Sequence, residues 1–217
     1  MGYNQKMFGL GSKRSIIREI FEYSKTRSAQ IGADKVFDFS LGNPSVPAPA
    51  EVNETIRTLL SEQNSVQLHG YTSAQGDLGT RTAIADYLNK KYNAGARACD
   101  LYMTVGAAAS LSATLSALAC EGEEVIAIAP FFPEYRVFTE QAGASLAVVP
   151  VDEESFQISF DALEKTINEK TAALIINSPN NPSGAVLSAE TLERLAALLK
   201  AKSEEYRRPI YLIADEP

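Results

Sequence analysis

Asp215 and Glu216 follow directly on the apolar run Ile210-Tyr211-Leu212-Ile213-Ala214, so a carboxylate is carried to the end of a strand that reads as buried on both faces. Burying such a charge unpaired is costly, and a partner is therefore expected beside Asp215. A second polar run, Asn177-Ser178-Pro179-Asn180-Asn181-Pro182-Ser183-Gly184, also leaves an apolar strand. Its composition is that of a turn, yet two adjacent asparagines exceed what a loop needs, and the Asn181 amide can donate to an oxygen on a ligand ring. Turn chemistry alone competes with that reading. For Asp215 the competitor is an N-cap on a following helix.

Two further segments could join them. Gly106-Ala107-Ala108-Ala109-Ser110 links a strand to a helix with small residues, which lets backbone N–H groups at a helix start approach an anion. A small-residue turn that merely allows close packing explains it equally well. Phe132 stands two residues after Pro130, where a planar ring could cover one face of an aromatic ligand. Residue type alone favours an ordinary core phenylalanine. What favours one site is the combination of an anion-cradling turn, a ring-covering aromatic, an amide donor and a carboxylate on one edge of one sheet. The single histidine, His69, supports neither a multi-histidine metal site nor any triad but one built on it alone. Cys99 and Cys120 lack metal-ligand spacing and read as small buried or half-buried hydrophobes.

The elements that must position these residues alternate along the second half of the chain. Short apolar strands are predicted at 101–104, 125–129, 146–149, 173–176 and 210–214, with helices near 107–120, 134–142, 160–168 and 188–203. That alternation argues an α/β fold, a mostly parallel sheet with helices on both faces. Right-handed crossovers gather the strand ends on one rim, where ligands of such sheets bind. Upstream, Ile16, Ile17, Ile20 and Phe21 have helical spacing, and residues 36–39 alternate like a short strand. Two amphipathic helices are expected, one over 50–62 burying Val52, Ile56, Leu59 and Leu60, the other over 77–92 burying Leu78, Ile84, Tyr87 and Leu88.

Composition limits the partners. The 217 residues are 45% hydrophobic and carry net charge −7, with no basic run to follow a phosphate backbone, so nucleic acid is not expected. No stretch reaches the ~20 apolar residues of a membrane span, and the start has no signal-peptide core. No membrane partner and a cytoplasmic location are expected.

Together these residues resemble the aspartate aminotransferase superfamily of fold-type I pyridoxal-phosphate enzymes, most closely its class I aminotransferases, over almost the whole chain. The asparagine motif 177–184 and the start of the aspartate motif, Asp215-Glu216-Pro217, are the specific matches. Leu41-Gly42-Asn43-Pro44, His69-Gly70-Tyr71 with Gly76, Gly106-Ala107-Ala108 and the segment 130–135 support them. The resemblance implies pyridoxal 5'-phosphate as cofactor, with Asp215 on the pyridinium nitrogen, Asn181 on the ring 3' oxygen and Phe132 on the ring face. The turn at Gly106, Ala107 and Ala108 would hold the phosphate, and Tyr71 would reach the site of the neighbouring subunit in a homodimer. Gly42 and Asn43 would lie near an amino-acid or 2-oxo-acid substrate. It further implies cis bonds at Asn181-Pro182 and Ala129-Pro130. Alanines stand in the phosphate turn where many relatives carry a hydroxyl, and Phe rather than Tyr or Trp stands at the stacking position.

The division implied is residues 1–48 as an arm and part of a smaller domain, and 49–217 as an incomplete large domain. None of the ten lysines follows Asp215, and none of them is expected to be the family's Schiff-base lysine, which the resemblance implies downstream of the aspartate motif. This chain, as an N-terminal half, is then expected to be inactive alone, with no catalytic residue of its own. The expected activity is that of an aspartate or aromatic aminotransferase. A carbon-sulfur lyase of the same fold, and a silent fragment or interaction module, are the alternatives.

Overall fold

Alternation along the strands shapes the second half of the chain. The computed structural model describes residues 2–3, 5–12, 16–40, 42 and 46–216, the side chains of residues 6, 7, 10 and 17 excepted. Asn43 and Pro217, singled out above, and the side chain of Ile17 lie outside the described residues. The chain divides between Tyr102 and Met103 into two compact units.

In the unit from residue 103 onward, β1 (Glu124–Ala129), β2 (Ser145–Pro150), β3 (Thr171–Asn177) and β4 (Tyr211–Asp215) form one parallel sheet in the order β2-β1-β3-β4. Helix α6 (Gly106–Leu118) precedes β1, and α7 (Glu134–Gln141), α8 (Phe160–Thr166) and α9 (Ala189–Glu205) connect the strands in turn. Successive strand side chains point to opposite faces, and two separate cores result. Ile126, Ile128, Leu174 and Ile176 pack with Leu163 of α8 and with Leu195 and Leu199 of α9. Val125, Ala127, Ala173 and Ile175 pack with Leu111 and Leu115 of α6 and Tyr135 of α7. β3 is buried along its whole length because β1 and β4 flank it and helices cover both of its faces. Full burial of each large apolar side chain is worth about 1.5–3 kcal/mol. The doubly covered α/β sheet expected from sequence is therefore present.

Some expectations fail on neighbourhood. β4 was read as buried on both faces, yet Tyr211 and Leu212 are 42% and 43% exposed. It is the last strand in the order, so one side has no ladder neighbour among the described residues. Residues 101–104 and 36–39 form no strand, for want of a pairing partner among the described residues.

In the unit up to Tyr102 lie α1 (Gln5–Ser12), α2 (Ile16–Ile31), α3 (Ala50–Glu62), α4 (Ser65–Leu68) and α5 (Leu78–Tyr92). The helices at 50–62 and 77–92 exist as predicted, but their apolar faces do not bury as predicted. α3 has no fully buried residue, with Leu59 half-buried and Val52, Ile56 and Leu60 exposed; on α5 the buried residues are Arg81 and Ala85, with Ile84 and Leu88 half-buried and Leu78 and Tyr87 exposed. Arg81 is tolerated inside because its guanidinium donates to the Ala98 and Gly76 carbonyls. Both cysteines, expected to be at least half-buried, are exposed and free. Among the described residues no helix is long and apolar enough to cross a membrane.

Candidate cofactor cleft

The strand order reverses between β1 and β3. The chain runs from β1 outward to β2 and then crosses back to lay β3 on the other side of β1. Such a switch point opens a crevice at the carboxyl ends of the two strands. The segment leaving β1 is Pro130-Phe131-Phe132, and the one leaving β3 begins at Asn177, so both candidate loops stand at this crevice. Asp215 ends the neighbouring β4, opposite Asn177 in the ladder.

Side-chain contacts tie these loops together. The Tyr135 hydroxyl donates to Asp215 Oδ2 at 2.6 Å. Asn177 Nδ2 donates to the Asp215 carbonyl at 2.7 Å, and Asn177 Oδ1 accepts from the Asn181 backbone N–H. Phe132 packs edge-on against Tyr135, with ring centroids 5.7 Å apart, and Phe131 stacks on the same ring at 6.3 Å. Tyr135 is 1% exposed, and burial first, then the Asp215 carboxylate, push its hydroxyl well above the ordinary tyrosine range. It therefore stays protonated and donates, which orients Asp215 without neutralising it.

Across from Asp215 stands the start of α6. Ala107, Ser110, Leu111 and Thr114 line a cleft of about 310 Å³ together with Ile213, Ala214, Asp215 and Glu216. No side chain caps α6. Its first N–H groups, left over in any helix, thus receive no side-chain cap among the described residues. Gly106 opens the helix at φ +81°, a backbone state that other L-residues rarely adopt, and space around it is open. Asn181 is exposed, and its side-chain amide makes no hydrogen bond among the described residues. The bonds at Ala129-Pro130 and Asn181-Pro182 are cis, as expected, and so is that at Ser178-Pro179.

Ala107 and Asp215 thus line one cleft, with Gly106 and Ala108 beside Ala107 in the chain, while Phe132 and Asn181 are linked to Asp215 through Tyr135 and Asn177. Tyr71 and Gly42 belong to the other unit, where Tyr71 is fully exposed beside Val66, His69 and Gly70 and where none of the described residues would meet a side chain at Gly42. Two residues of this rim were not singled out from sequence. Tyr135 lay within the quoted 130–135 segment, three positions beyond Phe132, and the partner demanded by Asp215 was the signal for it. Asn177 was the polar residue closing an otherwise apolar strand.

The family "Aminotransferase class I and II" matches residues 34–216. The chain belongs to this family. A solved aminotransferase from Eubacterium rectale is 57% identical and superimposes over the whole chain with TM-score 0.97, this chain covering 55% of that one. Aspartate aminotransferase of Pyrococcus abyssi is 33% identical over 205 residues, which are 91% of this chain and 50% of that protein. Aromatic-amino-acid aminotransferase 2 of Thermococcus litoralis is 32% identical over 184 residues, 84% of this chain and 45% of the relative. This aminotransferase-family chain thus spans about half the length of the relatives it matches. The asparagine segment 177–184 and Asp215-Glu216 of the aspartate segment fall inside the matched region.

Proposed function

We propose that the cleft between α6 and β4 holds pyridoxal 5'-phosphate and serves an enzyme that moves an amino group between an amino acid of aspartate or aromatic type and a 2-oxo acid. One observation carries this reading: an uncapped helix start and an oriented carboxylate line the same cleft. The donor set fits the group, with N–H groups for a phosphate at one end and a carboxylate for a protonated ring nitrogen at the other.

When bound, the cofactor supplies an electron-withdrawing ring that stabilises negative charge at the substrate α carbon. In this reading the N–H groups of Ala107 and Ala108, with Gly106 giving room, bind the phosphate. Asp215 holds a proton on the ring nitrogen, Tyr135 leaves its second oxygen free to do so, Asn181 donates to the 3' oxygen and Phe132 covers a ring face. Tyr71 would serve the phosphate of a second copy in a homodimer, with Gly42 and Asn43 beside the substrate. Residues 1–48 would be the arm and small-domain portion.

Titration of the chain with pyridoxal 5'-phosphate tests the reading. Asp215→Ala is expected to weaken binding about 10- to 100-fold, the equivalent of the ~1.5–3 kcal/mol of a hydrogen bond to a charged group. Equal affinity of the two proteins would refute it. No lysine among the described residues lines the cleft, so borohydride reduction of the complex is expected to attach pyridoxyl to no single lysine of the ten; stoichiometric labelling of one would move the amine chemistry into this chain.

A further inference from the structure

Asn177 is a buried polar residue at the end of β3, and both ends of its amide bond within the chain. Nδ2 donates to the Asp215 carbonyl and Oδ1 accepts from the Asn181 backbone N–H. Asp215 is thereby held twice, by Tyr135 through its carboxylate and by Asn177 through its main chain. The ladder alone pairs the Asp215 and Asn177 backbones at the very end of a strand whose other side has no neighbour among the described residues, where fraying is easiest.

We propose that Asn177 is the positioning residue of the cleft, a single buried amide that fixes the end of β4 against the asparagine turn and so sets the spacing between the Asp215 carboxylate and the Asn181 amide. The inference rests on the reading of those two groups as contacts to the cofactor ring nitrogen and 3' oxygen. A planar amide suits this task because its donor and acceptor ends have a fixed separation, so the two loops cannot drift independently. Loss of the bridge therefore alters where the ring contacts sit without touching the ligand.

Two variants separate the bonds. Asn177→Leu keeps similar volume and loses both, whereas Asn177→Asp keeps the acceptor for Asn181 and loses the donor to Asp215. The 217-residue chain is examined by hydrogen exchange without ligand and by titration with pyridoxamine 5'-phosphate, following the NMR shift of its ring nitrogen against pH. For Asn177→Leu, Asn181 N–H exchange is expected to rise about tenfold while the Ile126 and Ala127 amides keep their protection, and cofactor affinity to fall about tenfold. The ring nitrogen is expected to lose its proton at lower pH than in the unaltered chain. For Asn177→Asp, Asn181 exchange stays slow and the ring-nitrogen titration alone moves, which also serves if the leucine variant fails to fold. Wild-type binding with both variants unchanged in exchange and in ring titration overturns the role of Asn177. No cofactor uptake by the unaltered chain, with Asn181 exchange responding as stated, instead overturns the ring-contact reading and this inference with it.

Discussion

Tyr135 donates to Asp215 from a position where its hydroxyl does not ionise, and this makes the carboxylate directional. Tyr135→Phe keeps the ring contacts with Phe131 and Phe132 and removes the donor alone. Urea denaturation should show a loss of about 1 kcal/mol, the net worth of one hydrogen bond with an oxygen left partnerless. Binding of pyridoxal 5'-phosphate should weaken several-fold in the same variant. At this scale the sequence was partly legible. Asp215 and Asn181 were marked by polar types at the ends of apolar runs, a pattern that costs free energy unless a partner exists. Tyr135 was hidden because a buried tyrosine among aromatics looks like packing, and its bond to Asp215 bridges residues 80 apart in sequence.

Helix ends show how elements are divided between stability and binding. At α9 the Ser188 hydroxyl accepts from the Thr191 N–H at 3.0 Å, and at α5 Asp77 accepts from the Thr80 N–H at 2.7 Å. Ser188→Ala is expected to cost about 1 kcal/mol in thermal or urea unfolding. α6, in contrast, begins at Val105 with no side-chain cap. Val105→Asp would supply a cap and complement the helix dipole, raising stability by about 0.5–1 kcal/mol. The same carboxylate would compete with a phosphate, so cofactor binding should fall as the melting temperature rises. A fall in both would contradict an anion site at this helix start. Helix and strand existence followed from periodicity, and four strands fall within one or two residues of their predicted spans. Residues 101–104 and 36–39 did not become strands, because periodicity marks a segment suited to pairing but does not supply the partner.

Across the sheet-bearing unit, the two ends of the strands carry different duties. The carboxyl ends hold the candidate cleft, while the amino ends are tied by polar bonds. Arg208 Nη2 reaches Glu123 Oε1 at 2.6 Å, and Asn168 Nδ2 donates to Glu124 Oε2 at 2.8 Å. The Cys120 backbone N–H, followed by Arg208, holds the Glu123 carboxyl below its ordinary value of 4.5. A carboxyl depressed in the folded state adds stability that is fully present above the unfolded value and is lost as pH falls through the folded one. Stability against urea should therefore decline below about pH 4.5. Glu123→Gln should flatten that decline; an unchanged pH profile would show that the pair contributes nothing. In the core, Leu115 on α6 is fully buried against the β1 and β3 face. Leu115→Ala should cost about 2–5 kcal/mol, the range for a large-to-small change in a packed interior.

Strand and helix periods, the doubly apolar β3 and the polar residues closing β3 and β4 were readable along the chain, because they depend on local spacing and on the cost of burying charge. Burial in the first unit was misjudged on the same ground: the apolar faces of α3 and α5 are visible in sequence, but covering them requires neighbours that no local pattern specifies. The strand order β2-β1-β3-β4, the Tyr135 and Asn177 bonds to Asp215, and the shared cleft with α6 came from folding alone. Each joins residues tens of positions apart, and their meeting depends on which crossover places which strand beside which.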